Sequence, residues 1–311
     1  MNVKSDLMST PFFIIGNPRS GTTLLRLMLT SHPSLVVPPE GGFAIHLHSK
    51  YRDFSGDISH IEEFVMDVLA AKKMEEWGLS KDGLVQHIIE NEPCNYRDLV
   101  ALVYEFYSLS LGWEIEMWGD KNNYYLHHIV ELQEIFPQAK FIHIVRDGRD
   151  VACSYRDLAT TTGKYAPQLP NSVTSAAYQW KENLAKIIGS FAAIGLENVY
   201  EIRYEDLVLN AESELTNLCD FLGVKYSSEM MKYNELNRKL ELEPEIYLRW
   251  KQKTNEGLDS SRVNRWKTGM FAEDAFIFEK IAGDYLIRYR YPLSDYHTKI
   301  DVEELRMIIS K

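Results

Sequence analysis

Residues 12–16, FFIIG, are apolar without interruption up to a glycine, the pattern of a strand buried on both faces. Directly after them Leu24, Leu25, Met28 and Leu29 fall at helical spacing between Thr22 and about Ser31, so a loop joins this strand to a helix N-terminus. The pattern returns twice. KFIHIV at 140–145 predicts a second buried strand and 147–158 the helix after it, while NVYEIR at 198–203 predicts a third strand, followed by YEDLV. Apolar residues every three to four positions predict helices over about 59–76 and 95–111. Strands alternating with helices at these separations give βαβ units, hence an α/β fold with a mostly parallel central sheet flanked by helices. The polar, turn-rich stretches 159–171 and 251–264 read as loops, either able to close over a ligand. No internal repeat, heptad run or linker divides the chain, so residues 1–311 are read as a single domain.

Composition narrows the partners. With 34 basic against 45 acidic residues the net charge is −11, which argues against a broad basic surface for nucleic acid or anionic lipid; any anion is bound locally. Cys94, Cys153 and Cys219 are odd in number, far apart and without the paired spacing of a zinc site, which predicts reduced thiols with structural roles in a cytoplasmic protein. Residues 1–11 hold no apolar core long enough for a signal peptide, and no later run reaches the length of a membrane span, so a soluble, unexported chain without a membrane span is expected.

Two segments carry chemistry. Gly16 and Gly21 bracket four residues in the G-x-x-x-x-G frame of a phosphate-cradling loop, but position 22 is Thr where a Walker loop has Lys, and a cation stands instead at Arg19. Backbone N–H groups at the helix N-terminus, with the hydroxyls of Ser20, Thr22 and Thr23, form a donor set for phosphate or sulfate. The plainer alternative is a tight turn capped by Ser20 with a surface arginine. In RDGRDVACS, residues 146–154, Arg146 ends a buried strand and Ser154 lies about two helical turns further on; whether both meet one phosphate depends on loop geometry. Ion pairing with Asp147 and Asp150 is the alternative for this cluster.

Together these segments resemble sulfotransferases that use 3′-phosphoadenosine 5′-phosphosulfate (PAPS), closer to the tyrosylprotein/Golgi-type and bacterial branch than to the cytosolic aryl type. PRSGTTL at 18–24 resembles that family's 5′-phosphosulfate loop and RDGRDV…S its 3′-phosphate segment; RYEDL at 203–207 and RVNRWK at 262–267 also fit, so the likeness spans residues 12 to about 270. The resemblance implies a P-loop-kinase-like domain with a PAPS-binding core at about 12–40, 118–158 and 198–270, and acceptor-specificity helices at about 41–115. It implies that Arg19, Ser20, Gly21, Thr22 and Thr23 hold the 5′-phosphosulfate and Arg146 and Ser154 the 3′-phosphate. Tyr204 would lie near the adenine, with Arg262 and Lys267 closing over the 3′-phosphate side.

Sulfuryl transfer to a hydroxyl needs a base for the acceptor's proton. Glu40, in VPPEGG and 21 residues after Arg19, lies beyond the first helix, where the resemblance places a catalytic glutamate. A solvated turn carboxylate is the alternative, and His46 and His48, in a possible strand-like segment, and His127 and His128 are competing bases. Lys121, in WGDKNN, matches a lysine that the family places near the leaving oxygen, commonly within K-T-P; here Asn122 and Asn123 follow it, and a surface ion pair with Asp120 is its other role.

A transferring sulfuryl group carries less negative charge than a phosphoryl group, so protein cations and amides can serve where phosphoryl transfer leans on Mg²⁺. The implied reaction is metal-independent transfer from PAPS to an acceptor hydroxyl or phenol, releasing adenosine 3′,5′-bisphosphate. A P-loop phosphotransferase, which needs Lys at position 22 and a metal carboxylate, and a non-catalytic adenosine-phosphate-binding protein are the alternatives. The acceptor is left open among small molecule, lipid, glycan and peptide tyrosine; Trp77, Tyr104, Phe106 and Tyr107 wall its pocket or belong to the core. The lack of an N-terminal anchor suggests a bacterial cytoplasmic member, and oligomeric state leaves no pattern.

Overall fold

The structure, a computed structural model, describes residues 10–294. The expectation that residues 1–11 lack a signal peptide, and both ends of the single-domain assignment, lie largely outside that range.

Five strands form one all-parallel sheet, β1 (Phe12–Ile15), β2 (Leu35–Val36), β3 (Met117–Lys121), β4 (Lys140–Val145) and β5 (Val199–Arg203), in the order β2-β3-β1-β4-β5. Helices pack on both faces, as the uninterrupted apolar run of β1 and the almost wholly buried β4 require. Twelve of at least six residues are numbered here: α1 (Thr22–Thr30), α2 (Ile61–Ala70), α3 (Lys81–Glu90), α4 (Tyr96–Ser110), α5 (Ile129–Ile135), α6 (Gly148–Asp157), α7 (Val173–Ile194), α8 (Tyr204–Leu209), α9 (Ala211–Leu222), α10 (Tyr233–Leu240), α11 (Glu245–Lys251) and α12 (Ala272–Arg288).

The period of two along β1 divides the core. Phe13 and Ile15 join Val103, Tyr104 and Trp118 on one face, while Phe12 and Ile14 join Leu25, Met28, Leu215 and Leu218 on the other. A third cluster ties α6, α7 and α12 together through Val151, Trp180, Leu184 and Phe278. These layers leave the carboxyl ends of β1, β3 and β4 facing one crevice, the usual ligand position in an open parallel sheet.

The α/β class, the parallel sheet and the strand–loop–helix unit after Phe12 match the sequence reading. Several expectations need correction. The helix expected over 59–76 ends at Ala70, because Ala71 is extended (ψ 151°) and Lys73 is left-handed (φ 72°); residues 58–60 and 74–77 are single 3-10 turns. His46 and His48 lie in two one-turn helices, Phe43–His46 and His48–Tyr51, whose buried Phe43, Ala44 and Ile45 are consecutive and so cannot alternate as in a strand. Cys153 and Cys219 are buried but Cys94 is exposed, and all three are free thiols. Among the described residues no helix is long and apolar enough to cross a membrane.

Candidate active site

The loop after β1 turns through two left-handed residues on either side of Ser20, Arg19 (φ 72°) and Gly21 (φ 96°). A side chain at Gly21 would bring its Cβ 2.5 Å from Cδ2 of Tyr204, so the loop lies flat against the first residue of α8. For Arg19 this backbone costs of order 1 kcal/mol, sustained by the surrounding bonds. Asn17 is fixed from two helices: its amide donates to the Tyr155 hydroxyl (2.9 Å) and its carbonyl accepts from Asn183 (2.7 Å).

Three guanidiniums meet above this loop. Arg19 donates from Nε to Ser154 Oγ (3.2 Å) and to the carbonyl of Trp250 (3.1 Å). Arg146 donates to the carbonyls of Arg19 (3.2 Å) and Arg262 (2.9 Å), and its guanidinium lies 4.4 Å from the centroid of the Tyr204 ring. Burial first, then the charges of Arg146 and Arg262, takes Arg19 down to about 10. Among the described residues Asp259, 3.5 Å from Arg262, is the one carboxylate paired with any of the three. Asp147 caps α6 and pairs with Arg149 (2.7 Å), and Asp150 accepts from the backbone N–H of Trp266 (2.7 Å), so neither fills the ion-pairing role open to it beside Arg146. Ser20 Oγ and Arg146 Nε are buried without a partner. Crowded cations and orphaned donors of this kind suit an incoming polyanion.

The other end of the same crevice is built around a carboxylate. Glu40 follows β2 at a Pro38-Pro39 corner that Trp77 holds by donating to the Pro39 carbonyl (3.0 Å). It is buried, not a solvated turn residue: Lys121 donates to Oε1 and Lys73 to Oε2. Burial alone would raise its pKa, but the charges of Lys121, Lys251 and Lys73 outweigh it and hold the carboxyl well below the usual range. Lys121 is equally buried, and desolvation takes its ammonium down to about 8 against the pull of Glu40. It makes no surface pair with Asp120, which points to the opposite face of β3 and accepts from Tyr104 and Tyr125 (both 2.5 Å). Behind Lys121, buried Glu243 takes Lys251 (2.5 Å) and Arg26 (2.8 Å), and Arg26 also donates to the carbonyls of Val37 and Leu242 (both 2.9 Å). Arg26 thereby ties α1, the Glu40 corner and the approach to α11 into one unit.

Arg19, Gly21, Thr22, Thr23, Glu40, Lys121, Arg146, Ser154, Tyr204 and Arg262 line one cleft of about 680 Å³. Ser20 is buried beneath it. Lys267 is exposed and outside the lining, its ammonium 5.9 Å from the Trp266 ring. His46, His48, His127 and His128 are outside it too; His128 is engaged with Glu131 (2.8 Å). Trp77, Tyr104 and Tyr107 are core, and Phe106 packs against that core, so none walls the cleft. The polar loops do reach it, through Tyr165 to Gln168 and through Gln252 to Arg262. Lys73, Tyr165, Tyr247, Trp250 and Lys251 line the cleft without having been singled out in the sequence, since no motif or spacing marks them. Among the described residues no group of three or more His, Cys, Asp or Glu could hold a metal ion.

An α/β crevice with a left-handed loop, clustered guanidiniums and a lysine-bound glutamate defines an anion-binding transferase-like site. The profile of the sulfotransferase family matches residues 11–228, and the chain belongs to that family. It is 24% identical over 233 residues to protein-tyrosine sulfotransferase A of Caenorhabditis elegans, covering 73% of this chain and 54% of that protein. It is 25% identical over 230 residues to protein-tyrosine sulfotransferase 2 of Gallus gallus, covering 72% and 54%. The chain thus spans about half the length of the curated relatives it matches. In fold it is similar to the sulfotransferase domain from the Synechococcus PCC 7002 olefin synthase (TM-score 0.57, 24% identity, 87% of this chain and 94% of that one). The sulfotransferase domain from the curacin biosynthetic pathway is also similar (TM-score 0.55, 22% identity, 92% and 99%).

Proposed function

We propose that the protein transfers the sulfuryl group of PAPS to an acceptor hydroxyl or phenol and releases adenosine 3′,5′-bisphosphate, with Glu40 as general base. The observation that carries this reading is the polarity of one cleft: guanidiniums almost without carboxylates at one end, and a buried carboxylate between two ammoniums at the other. Bound PAPS supplies an activated sulfuryl group and a phosphate leaving group.

In this reading the amides and hydroxyls of Ser20, Gly21, Thr22 and Thr23, with Arg19, hold the 5′-phosphosulfate. Arg146, Ser154 and Arg262 hold the 3′-phosphate, and Tyr204, already under Arg146, flanks the adenine. Lys267 is left out of the set, since it stands outside the cleft. Glu40 accepts the acceptor's proton as the new O–S bond forms, while Lys121 and Arg19 neutralise the phosphate oxygen from which the old O–S bond parts. The surrounding ammonium charges hold the Glu40 carboxyl well below the usual range, and Lys121 is brought down only to about 8, so the base is ionised before the acceptor arrives. The cleft supplies its own cations, which supports transfer without a metal. The relatives named as protein-tyrosine sulfotransferases make a peptide tyrosine one acceptor within this proposal. The three free thiols suit the reducing conditions of a cytoplasmic location.

Release of labelled sulfate from PAPS in EDTA, with Glu40→Gln alongside, tests this directly. The variant is expected to bind adenosine 3′,5′-bisphosphate like the parent and to turn over about two to four orders of magnitude more slowly. Undiminished turnover would remove Glu40 from the role of base.

A further inference from the structure

The two lysines on Glu40 are not equivalent. Lys121 belongs to the inner strand β3, its side chain is 1% exposed, and Glu40 is its hydrogen-bond acceptor. Lys73 reaches in from the turn beyond α2, on a left-handed residue, with a side chain 19% exposed. Its ammonium also lies 5.7 Å from the Tyr165 ring centroid and 5.3 Å from that of Tyr247. A cation beside an aromatic face is stabilised by about 0.5–2 kcal/mol, so an ammonium leaving Glu40 has a second resting place within reach. That resting place is fixed on both sides. The Tyr165 hydroxyl bonds Glu75, and the Tyr247 ring is buried against Trp250, 5.9 Å between centroids.

Building on the functional reading above, we propose that Lys73 is the exchangeable partner of Glu40. It covers Oε2 in the free enzyme and yields it to the acceptor hydroxyl, moving onto the Tyr165 and Tyr247 rings while Lys121 stays on Oε1. The acceptor's proton then passes to Oε2, its oxygen bonds to sulfur, and the sulfur–phosphate-oxygen bond breaks. With no acceptor present, the ammonium keeps water from the base and limits hydrolysis of the donor. Lys73 is therefore a positioning residue that selects an acceptor able to displace it. The other groups facing Glu40 are Lys121 from β3, Lys251 and Tyr247 from α11, and Asp120 from the far side of β3; none reaches Oε2.

The test compares wild type, Lys73→Met, Lys73→Arg and the double variant Lys73→Met/Glu40→Gln. Release of labelled sulfate from PAPS into water, with no acceptor, is expected to rise by about threefold to tenfold in Lys73→Met, to return towards wild type in Lys73→Arg and to vanish in the double variant. Binding of adenosine 3′,5′-bisphosphate should stay within about twofold throughout. The Glu40 carboxyl, followed by carbon-13 NMR and assigned with Glu40→Gln, should titrate at higher pH in Lys73→Met. Hydrolysis at or below the wild-type rate with nucleotide binding intact, or an unmoved Glu40 titration, overturns the proposal. Failure of the wild type to bind adenosine 3′,5′-bisphosphate overturns the functional reading instead, and the Glu40 titration still tests the Lys73 contact.

Discussion

Replacing Arg146 by Ala separates the two phosphates of the proposed nucleotide. The guanidinium bonds the carbonyls of Arg19 and Arg262, stacks on Tyr204 and keeps a buried Nε without a partner. Three effects follow from its loss. A charge-assisted bond to the 3′-phosphate disappears, worth about 1.5–3 kcal/mol, or roughly a 10- to 150-fold change in Kd. The loop at Arg19 loses a tether, which weakens any nucleotide held there. Against that, Arg19 is relieved of one of the two charges that, after burial, depress it. The last two effects act on adenosine 3′,5′-bisphosphate and adenosine 5′-phosphate alike, so the ratio of the two affinities isolates the first. Calorimetric titration of wild type and Arg146→Ala with each nucleotide, at one ionic strength, should show the 3′,5′-bisphosphate losing about 10- to 150-fold more affinity than the 5′-phosphate. Equal losses would refute the assignment of Arg146 to the 3′-phosphate.

Three further outcomes are expected. Gly21→Ala places a methyl group 2.5 Å from Tyr204 at a φ of 96°, so affinity for adenosine 3′,5′-bisphosphate should fall by about tenfold or more; unchanged affinity in a titration would contradict the loop's role. Lys121 is protonated below about 8 and loses its charge above it, so wild-type kcat should decline as pH rises past that value. In Lys121→Arg that decline should vanish, because the guanidinium stays charged; a pH–rate profile with the same basic limb would remove Lys121 from the leaving-group side. Burial pushes Asp120 up to about 7, so the native state prefers it neutral and wild-type stability falls as pH climbs from 3.8 towards 7. Asp120→Asn has no such loss, so its Tm relative to wild type should rise as pH climbs from 3.8 to about 7 and level off above that; a constant difference would show that Asp120 titrates normally.

What could be read from the sequence follows from how locally it is determined. β1 and the loop between Gly16 and Gly21 announce themselves by an uninterrupted apolar run ending at a glycine, and β4 by a mostly apolar run ending just before Arg146-Asp147-Gly148. β3 does not, because MWGDK carries two charged residues that would ordinarily argue against a buried strand. No spacing marks their partners: the Glu40 carboxylate that neutralises Lys121 is 81 positions away, and the hydroxyls that bond Asp120 come from Tyr104, 16 positions away, and Tyr125, 5 positions away. Glu40 stands after the first helix, where the family resemblance places a glutamate, but its burial depends on contacts that no spacing encodes. Lys73 was hidden for another reason, since it fell inside an expected helix and reaches Glu40 through the break at Ala71. Arg26 sits on the regular face of α1, and nothing local hints that it binds Glu243, 217 positions away.

The central claim, that this cleft recognises adenosine 3′,5′-bisphosphate and its sulfated form rather than a Walker-type nucleotide, is tested most directly by calorimetric titration of the purified protein in EDTA with adenosine 3′,5′-bisphosphate and, separately, with ADP. The account predicts binding of about micromolar Kd for the former, near −8 kcal/mol, and much weaker binding of ADP. ADP binding as well or better, especially once Mg²⁺ is restored, would contradict it and point to a phosphotransferase.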